Sequence, residues 1–203
     1  MVNKQHKTIS VCIFCGSQAG NDQDFAKMAA DLGREMAQSR IGLVFGGGRS
    51  GLMGSISDSL LIHGGHAVGI IPEFLTGQEI RHKKAQIIVV PDMHTRKRTM
   101  FEHADAFCVL PGGLGTLEEF FEIVAWRQLS VHHKPIILAN WHGYWDQLVA
   151  MSEEIRNGGF AYEPMEELFM VVNEVSEIIP AIQTKLANLV DFPDPGHPNL
   201  SET

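Results

Sequence analysis

The residues of this sequence best suited to chemistry stand in glycine-rich turns and in the charged side chains beside them. PGGLGT, Pro111 to Thr116, sets Gly112, Gly113 and Gly115 ahead of a threonine, and Glu119 follows three residues later. Glycines let backbone N–H groups approach an anion with no Cβ in the way, and a helix starting behind them adds unpaired N–H groups and a partial positive end. That is chemistry for holding the phosphate of a nucleotide. Two other turns share the character: CGSQAGND, Cys15 to Asp22, and GGGRSGLMG, Gly46 to Gly54. One such turn alone is equally well a tight connection; three together describe a nucleotide-sized phosphate site. Neither long glycine cluster ends in the G-K-[ST] that supplies a phosphate lysine, and the first turn is not G-x-G-x-x-G, so ATP hydrolysis and nicotinamide binding are disfavoured.

Glu119 admits two readings. With Thr116 it spells T-x-x-E, a capping box in which Thr116 is the residue before the helix. As a carboxylate beside a bound ribose phosphate, it can accept sugar hydroxyl bonds, stabilise positive charge developing on the sugar, or orient water. Helical spacing puts Glu119 on a face with Ile123 and Trp126, while Leu117, Phe120, Phe121 and Val124 form the stripe expected against the sheet. A helix apolar on two sides suggests a second copy as partner. Arg96, Lys97 and Arg98 fall in PDMHTRKRTM, Pro91 to Met100, at a helix start where cations are electrostatically poor. They are either a solvated basic patch or the counterpart of an anion or of Glu119, and the planar fork of Arg96 suits the second role.

These residues require a scaffold of alternating elements. Strand patterns occur near Ile9–Phe14, Leu43–Phe45, Ala67–Ile70, Ile87–Val90, Ala106–Leu110, Ile136–Ala139 and Leu168–Val171. Helical patterns fall near Asp22–Gln38, Gly51–His63, Met93–His103, Thr116–Leu129, Tyr144–Arg156 and Val175–Leu186. Continuous apolar strands between amphipathic helices predict an α/β chain with a mainly parallel central sheet covered on both faces, a single doubly wound, Rossmann-like domain over residues 8–188. Ligands of such sheets sit beyond the carboxyl ends of the strands. Pro72 to Lys84 reads as a loop with a short helix near that edge, and residues 189–203 as a disordered tail.

Bulk properties narrow the function classes. The chain has 203 residues, 44% of them hydrophobic, enough for one sizeable core, and a net charge of -8 that argues against nucleic acid or anionic lipid as partner. No apolar run approaches a bilayer span, and MVNKQHKTIS passes into a strand without the features of a signal peptide, so a cytoplasmic location and no membrane are expected. Cys12, Cys15 and Cys108 read as buried thiols; Cys12 and Cys15 close a β-run rather than open a helix, which weighs against a redox pair. The ten histidines form no H-E-x-x-H or tight Cys/His cluster, so no metal and no cofactor are expected.

With these residues in place, the chain resembles the LOG family of cytokinin riboside 5′-monophosphate phosphoribohydrolases, once mislabelled lysine decarboxylases, from about Ser10 to Leu186. The family motif P-G-G-x-G-T-x-x-E is matched by Pro111, Gly112, Gly113, Gly115, Thr116 and Glu119, and M-H-x-R-K by Met93, His94, Arg96 and Lys97. The resemblance implies hydrolysis of the N-glycosidic bond of an adenine-type nucleoside 5′-monophosphate within a homodimer. It implies Arg96 and Glu119 as the catalytic pair. It also implies substrate contacts from Met93, Lys97 and the segment Gly112, Gly113, Leu114, Gly115, Thr116, Leu117 and Glu118. Ser17, Gly46, Gly47 and Gly48 would line the approach to the phosphate. Leu114 stands where many relatives have Tyr, and Ala125 where they have Thr, so the base is either a substituted adenine or the plain adenine of AMP. The competing readings are a phosphorylated-cofactor carrier, such as a molybdenum-cofactor carrier, which needs the glycine loops but not the Arg96 and Glu119 pair, and a nucleotide sensor.

Overall fold

The computed structural model describes residues 8–76, 82–161 and 164–189. Seven strands run in chain order: β1 (Ser10–Phe14), β2 (Gly42–Phe45), β3 (Ala67–Pro72), β4 (Gln86–Val90), β5 (Ala106–Val109), β6 (Ile136–Ala139) and β7 (Met170–Val172). Between and after them come α1 (Gln23–Gln38), α2 (Gly51–Ile62), α3 (Met93–His103), α4 (Leu114–Gln128), α5 (Asp146–Asn157), the single turn α6 (Met165–Leu168) and α7 (Val175–Asn188). The strand order is β4-β3-β2-β1-β5-β6-β7. The pairings β1–β2, β2–β3, β3–β4, β5–β6 and β6–β7 are all parallel. This is the doubly wound α/β arrangement that the strand and helix patterns predict, and the order turns between β1 and β5.

The chain forms two compact units. The first takes β1 up to Ile13 and the chain from Ser17 to Asp105; the second takes Phe14–Gly16 and the chain from Ala106 onward. In the first, Asp22 caps α1 by accepting the Asp24 amide at 2.9 Å, and Met28, Ala29, Leu32 and Met36 form its buried face. Gly33 lets α1 and α2 meet closely, because a methyl there would strike the carbonyl of Ile56; the Ser59 hydroxyl donates to the Ala30 carbonyl at 2.6 Å beside it. In the second unit, β5 and β6 are wholly buried, as strands covered on both faces must be. Phe14 and Phe107 stack with ring centres 5.9 Å apart, and Phe120 meets Phe169 edge-on at 5.2 Å.

Several sequence limits shift. β3 continues two residues further than expected, to Pro72, and β7 begins at Met170 because Met165–Leu168 closes a helical turn instead. The expected short helix after Pro72 is a 3-10 turn over Glu73–Leu75. α5 starts at Asp146, behind a separate turn at Trp141–Gly143 where His142 and Gly143 have φ of 50° and 74°. The tail from residue 190, and part of the loop after Pro72, lie outside the described residues. No helix among the described residues is long and apolar enough to cross a membrane.

Candidate active site

At the turning point of the strand order, the carboxyl ends of β1 and β5 are tied together inside the second unit. Leu110 N–H donates to the Phe14 carbonyl at 2.9 Å, and Gly16 N–H to the Pro111 carbonyl at 3.0 Å. The chain then passes through Gly112, where a methyl would collide with the Thr116 hydroxyl, stand 2.7 Å from Thr116 Cβ and 3.0 Å from Gly16 N. A Cβ on Gly113 or Gly115, by contrast, would meet nothing within 4 Å. The glycine turn is therefore packed on its Gly112 side and open at Gly113 and Gly115.

Gly113 caps α4 with extended backbone (φ -105°, ψ -155°) and no side-chain cap bond. The first bond of the helix is Leu117 N–H to the Gly113 carbonyl at 3.1 Å. Gly113, Leu114, Gly115 and Thr116 therefore contribute the N–H groups that a helix start leaves without a carbonyl one turn behind. Those donors and the helix dipole converge on the open glycines, an arrangement suited to a phosphate. Leu114 is 85% exposed, Leu117 half-buried and Glu118 exposed.

The capping box expected from Thr116 and Glu119 does not form. α4 starts two residues before Thr116, which becomes the third residue of the helix and is buried. Glu119 lies beyond the first turn and is half-buried. A capping box forms in α7, where Glu177 Oε2 accepts the Glu174 and Asn173 amides at 3.0 and 2.9 Å. The expected apolar stripe also rotates: Thr116, Phe120 and Ile123 are the buried residues of α4, while Phe121 is 38% exposed. The Cys15 thiol is pushed above its ordinary range by burial first, then by the negative charge of Glu119, then by Cys108. Cys12, Cys15 and Cys108 are all buried and none is in a disulfide. Cys15 stays protonated and does not serve as a nucleophile.

The first unit holds the cationic residues. Asp92 caps α3, accepting the Thr95 amide at 2.7 Å, and that bond holds its carboxyl below the usual carboxylate range. One turn on, the triplet separates: Arg96 is buried at 8% exposure, Lys97 half-buried and Arg98 exposed. Arg96 Nη2 donates to the Gly46 carbonyl at 3.2 Å, and Nη1 to Met93 Sδ at 3.8 Å. Its Nε is buried with no partner among the described residues. Gly47 has φ of 79°, a conformation that favours glycine, and its carbonyl accepts from His82 N–H at 3.3 Å. Gly48 is buried. Ser17 is exposed, and its backbone lies against Gly51, where a methyl would strike it.

The sequence motifs join Arg96 with Met93, and Gly112 with Thr116; the structure puts each pair in contact and adds Gly46, which no motif links to Arg96. It also reveals two residues that pattern reading missed. His82, buried, donates through Nε2 to Asp58 at 2.9 Å while its Nδ1 accepts the Lys84 and Ala85 amides, so it pins its own loop beside Gly47. Tyr144 donates its hydroxyl to the Gly112 carbonyl at 2.6 Å.

Residues 53–182 match the family described as "Possible lysine decarboxylase", a span that includes Arg96 and Pro111 to Glu119. The cytokinin riboside 5′-monophosphate phosphoribohydrolase LOG5 of Arabidopsis thaliana is 40% identical over 174 residues, 85% of this chain and 76% of that protein. The cytokinin riboside 5′-monophosphate phosphoribohydrolase of Rhodococcoides fascians is 39% identical over 177 residues, 86% of this chain and 89% of that one. Among solved structures, the Moco carrier protein of Chlamydomonas reinhardtii superposes with a TM-score of 0.67 at 19% identity, covering 90% of this chain and all of that one, and so shares the fold. Family match and relatives concur, and the chain belongs to the LOG family of cytokinin riboside 5′-monophosphate phosphoribohydrolases.

Proposed function

We propose that this protein hydrolyses the N-glycosidic bond of an adenine-type nucleoside 5′-monophosphate, releasing the free base and ribose 5-phosphate. Water adds its oxygen to C1′, the C1′–N bond breaks with its electron pair going to the base, and the base takes a proton. The observation that carries the reading is α4 itself: a glycine turn with convergent N–H donors, followed within the same helix by Glu119, a half-buried carboxylate beyond the first turn. The N–H groups of Gly113 to Thr116 bind the 5′-phosphate, and that anchored end holds C1′ in place. Glu119 then stabilises the positive charge growing on the ribose and positions the water. Arg96, buried and directed by Gly46 and Met93, is the other member of the catalytic pair that the family resemblance implies. Lys97 contributes to substrate binding, and Ser17 with Gly46 to Gly48 lines the approach.

The working form in this reading is a homodimer. Leu114, Phe121, Ala125 and Leu129 recur at helical spacing along α4 and its end, and Leu114, Phe121 and Leu129 are 85%, 38% and 70% exposed, a stripe suited to a second copy. The base is a substituted adenine or adenine itself, because Leu114 and Ala125 differ from many relatives. The test is incubation of the pure protein with AMP, other nucleotides and N6-isopentenyladenosine monophosphate, with chromatography for free base. Release of base from one of these supports the reading. A ligand retained unchanged, with none cleaved, overturns it in favour of a carrier.

A further inference from the structure

The glycine turn is held from outside by one side chain. Tyr144 O–H donates to the Gly112 carbonyl at 2.6 Å, a short bond across 32 residues of sequence. In a planar trans peptide, the carbonyl of one residue and the N–H of the next point in opposite directions. Fixing the Gly112 carbonyl on Tyr144 therefore turns the Gly113 N–H the other way. Gly113 has no atom near its Cβ position and stands at the cap of α4, so its N–H joins those of Leu114, Gly115 and Thr116.

Tyr144 is itself rigidly presented. Asn140, buried at the end of β6, accepts the Trp145 amide on Oδ1 at 2.7 Å and donates from Nδ2 to Asp146 Oδ1 at 2.8 Å and Asn173 Oδ1 at 3.4 Å. Its own amide donates to the Val172 carbonyl at 2.8 Å, and its carbonyl accepts Gly143 N–H at 3.1 Å. A turn so closely bonded, with His142 and Gly143 both at positive φ, holds the tyrosine in one place rather than merely closing a loop.

We propose that Tyr144 is a positioning residue for the 5′-phosphate: its hydroxyl sets the Gly112–Gly113 peptide so that the Gly113 N–H faces the bound anion. The inference rests on the phosphate reading of this turn given above. It assigns to Tyr144 a role in binding and none in bond cleavage, which separates it from Glu119.

The test compares wild type with Tyr144→Phe, which keeps the ring and removes only the hydroxyl. The substrate is whichever nucleoside monophosphate the wild type cleaves. Loss of one neutral hydrogen bond that orients a donor predicts KM raised about fivefold to tenfold with kcat within about twofold. Inorganic phosphate is expected to shift the Gly113 amide resonance in the wild type and to move it less at the same concentration in the variant. Unchanged KM and an unchanged Gly113 response overturn the inference, as does a loss confined to kcat. If wild type itself shows neither base release nor a phosphate-induced shift at Gly113, the phosphate reading fails and the inference falls with it.

Discussion

Residue 46 has no space for a side chain because the guanidinium of Arg96 occupies it: Nη2 donates to the Gly46 carbonyl at 3.2 Å, and a methyl there would collide with that nitrogen and stand 3.2 Å from Met53 Sδ. Arg96 is 8% exposed and cannot simply swing into water. Gly46→Ala is therefore expected to act through Arg96. Turnover should fall toward that of Arg96→Ala, and the double variant should be little worse than either single one, since both remove the same placement. Steady-state kinetics on the three proteins decides it; losses that simply add would separate the two residues.

The three glycines of PGGLGT should respond differently to the same added methyl. At Gly112 the methyl meets Thr116 and the backbone of Gly16, so Gly112→Ala should cost about 1–3 kcal/mol of stability, as overpacking does. At Gly113 and Gly115 nothing lies within 4 Å, so neither substitution should lower the melting temperature. Both methyls would enter the open side where the phosphate is proposed to sit, and both should raise KM. Thermal melts and kinetics on the three variants separate a structural glycine from two binding ones.

Glu119 and Glu177 make a matched pair for telling chemistry from capping. General acid–base and electrostatic help is worth about 10²–10⁴-fold, and Glu119→Gln should lose turnover in that range while its melting temperature stays near wild type. Glu177 accepts the Asn173 and Glu174 amides, so Glu177→Ala should instead cost about 0.5–2 kcal/mol and leave turnover alone. A Glu119→Gln protein with near-wild-type turnover would remove Glu119 from the mechanism.

What sequence could show of this arrangement follows from the range of the forces involved. α3 falls at Met93–His103 as expected, because its start is set locally by Asp92 and the Thr95 amide. The α/β alternation was legible because β5 and β6 are buried on both faces and so read as unbroken apolar runs. α4 was misread at its start, since a threonine is a strong cap by local preference. Here Gly113 takes the extended cap conformation, and Thr116 is drawn into the packing against Gly112. Tyr144 and His82 escaped notice because their partners lie 32 and 24 residues away, and no local spacing encodes such contacts.

His132 should make the fold sensitive to mild acid. It is buried, its Nε2–H donates to the Ile123 carbonyl at 2.9 Å, and its Nδ1 accepts the Lys134 amide at 3.1 Å, so both ring nitrogens are committed to the neutral form. Burial lowers its pKa from 6.5 to about 4, overriding the Ile123 bond that favours the proton, and Arg127, Lys134 and His133 add smaller effects in the same direction as burial. Between those two values the unfolded chain binds a proton that the native protein does not. The contribution is therefore complete above the unfolded value and is lost as pH falls toward the folded one, by about 3 kcal/mol in total. Asp92, whose carboxyl lies below the ordinary carboxylate range, acts only at more acid pH. Urea midpoints measured between pH 7 and 4.5 should fall steadily in wild type. In His132→Gln, less stable at pH 7 through its altered hydrogen bonds, the midpoint should vary less over the same interval; an equal slope in the two proteins would assign the acid sensitivity elsewhere.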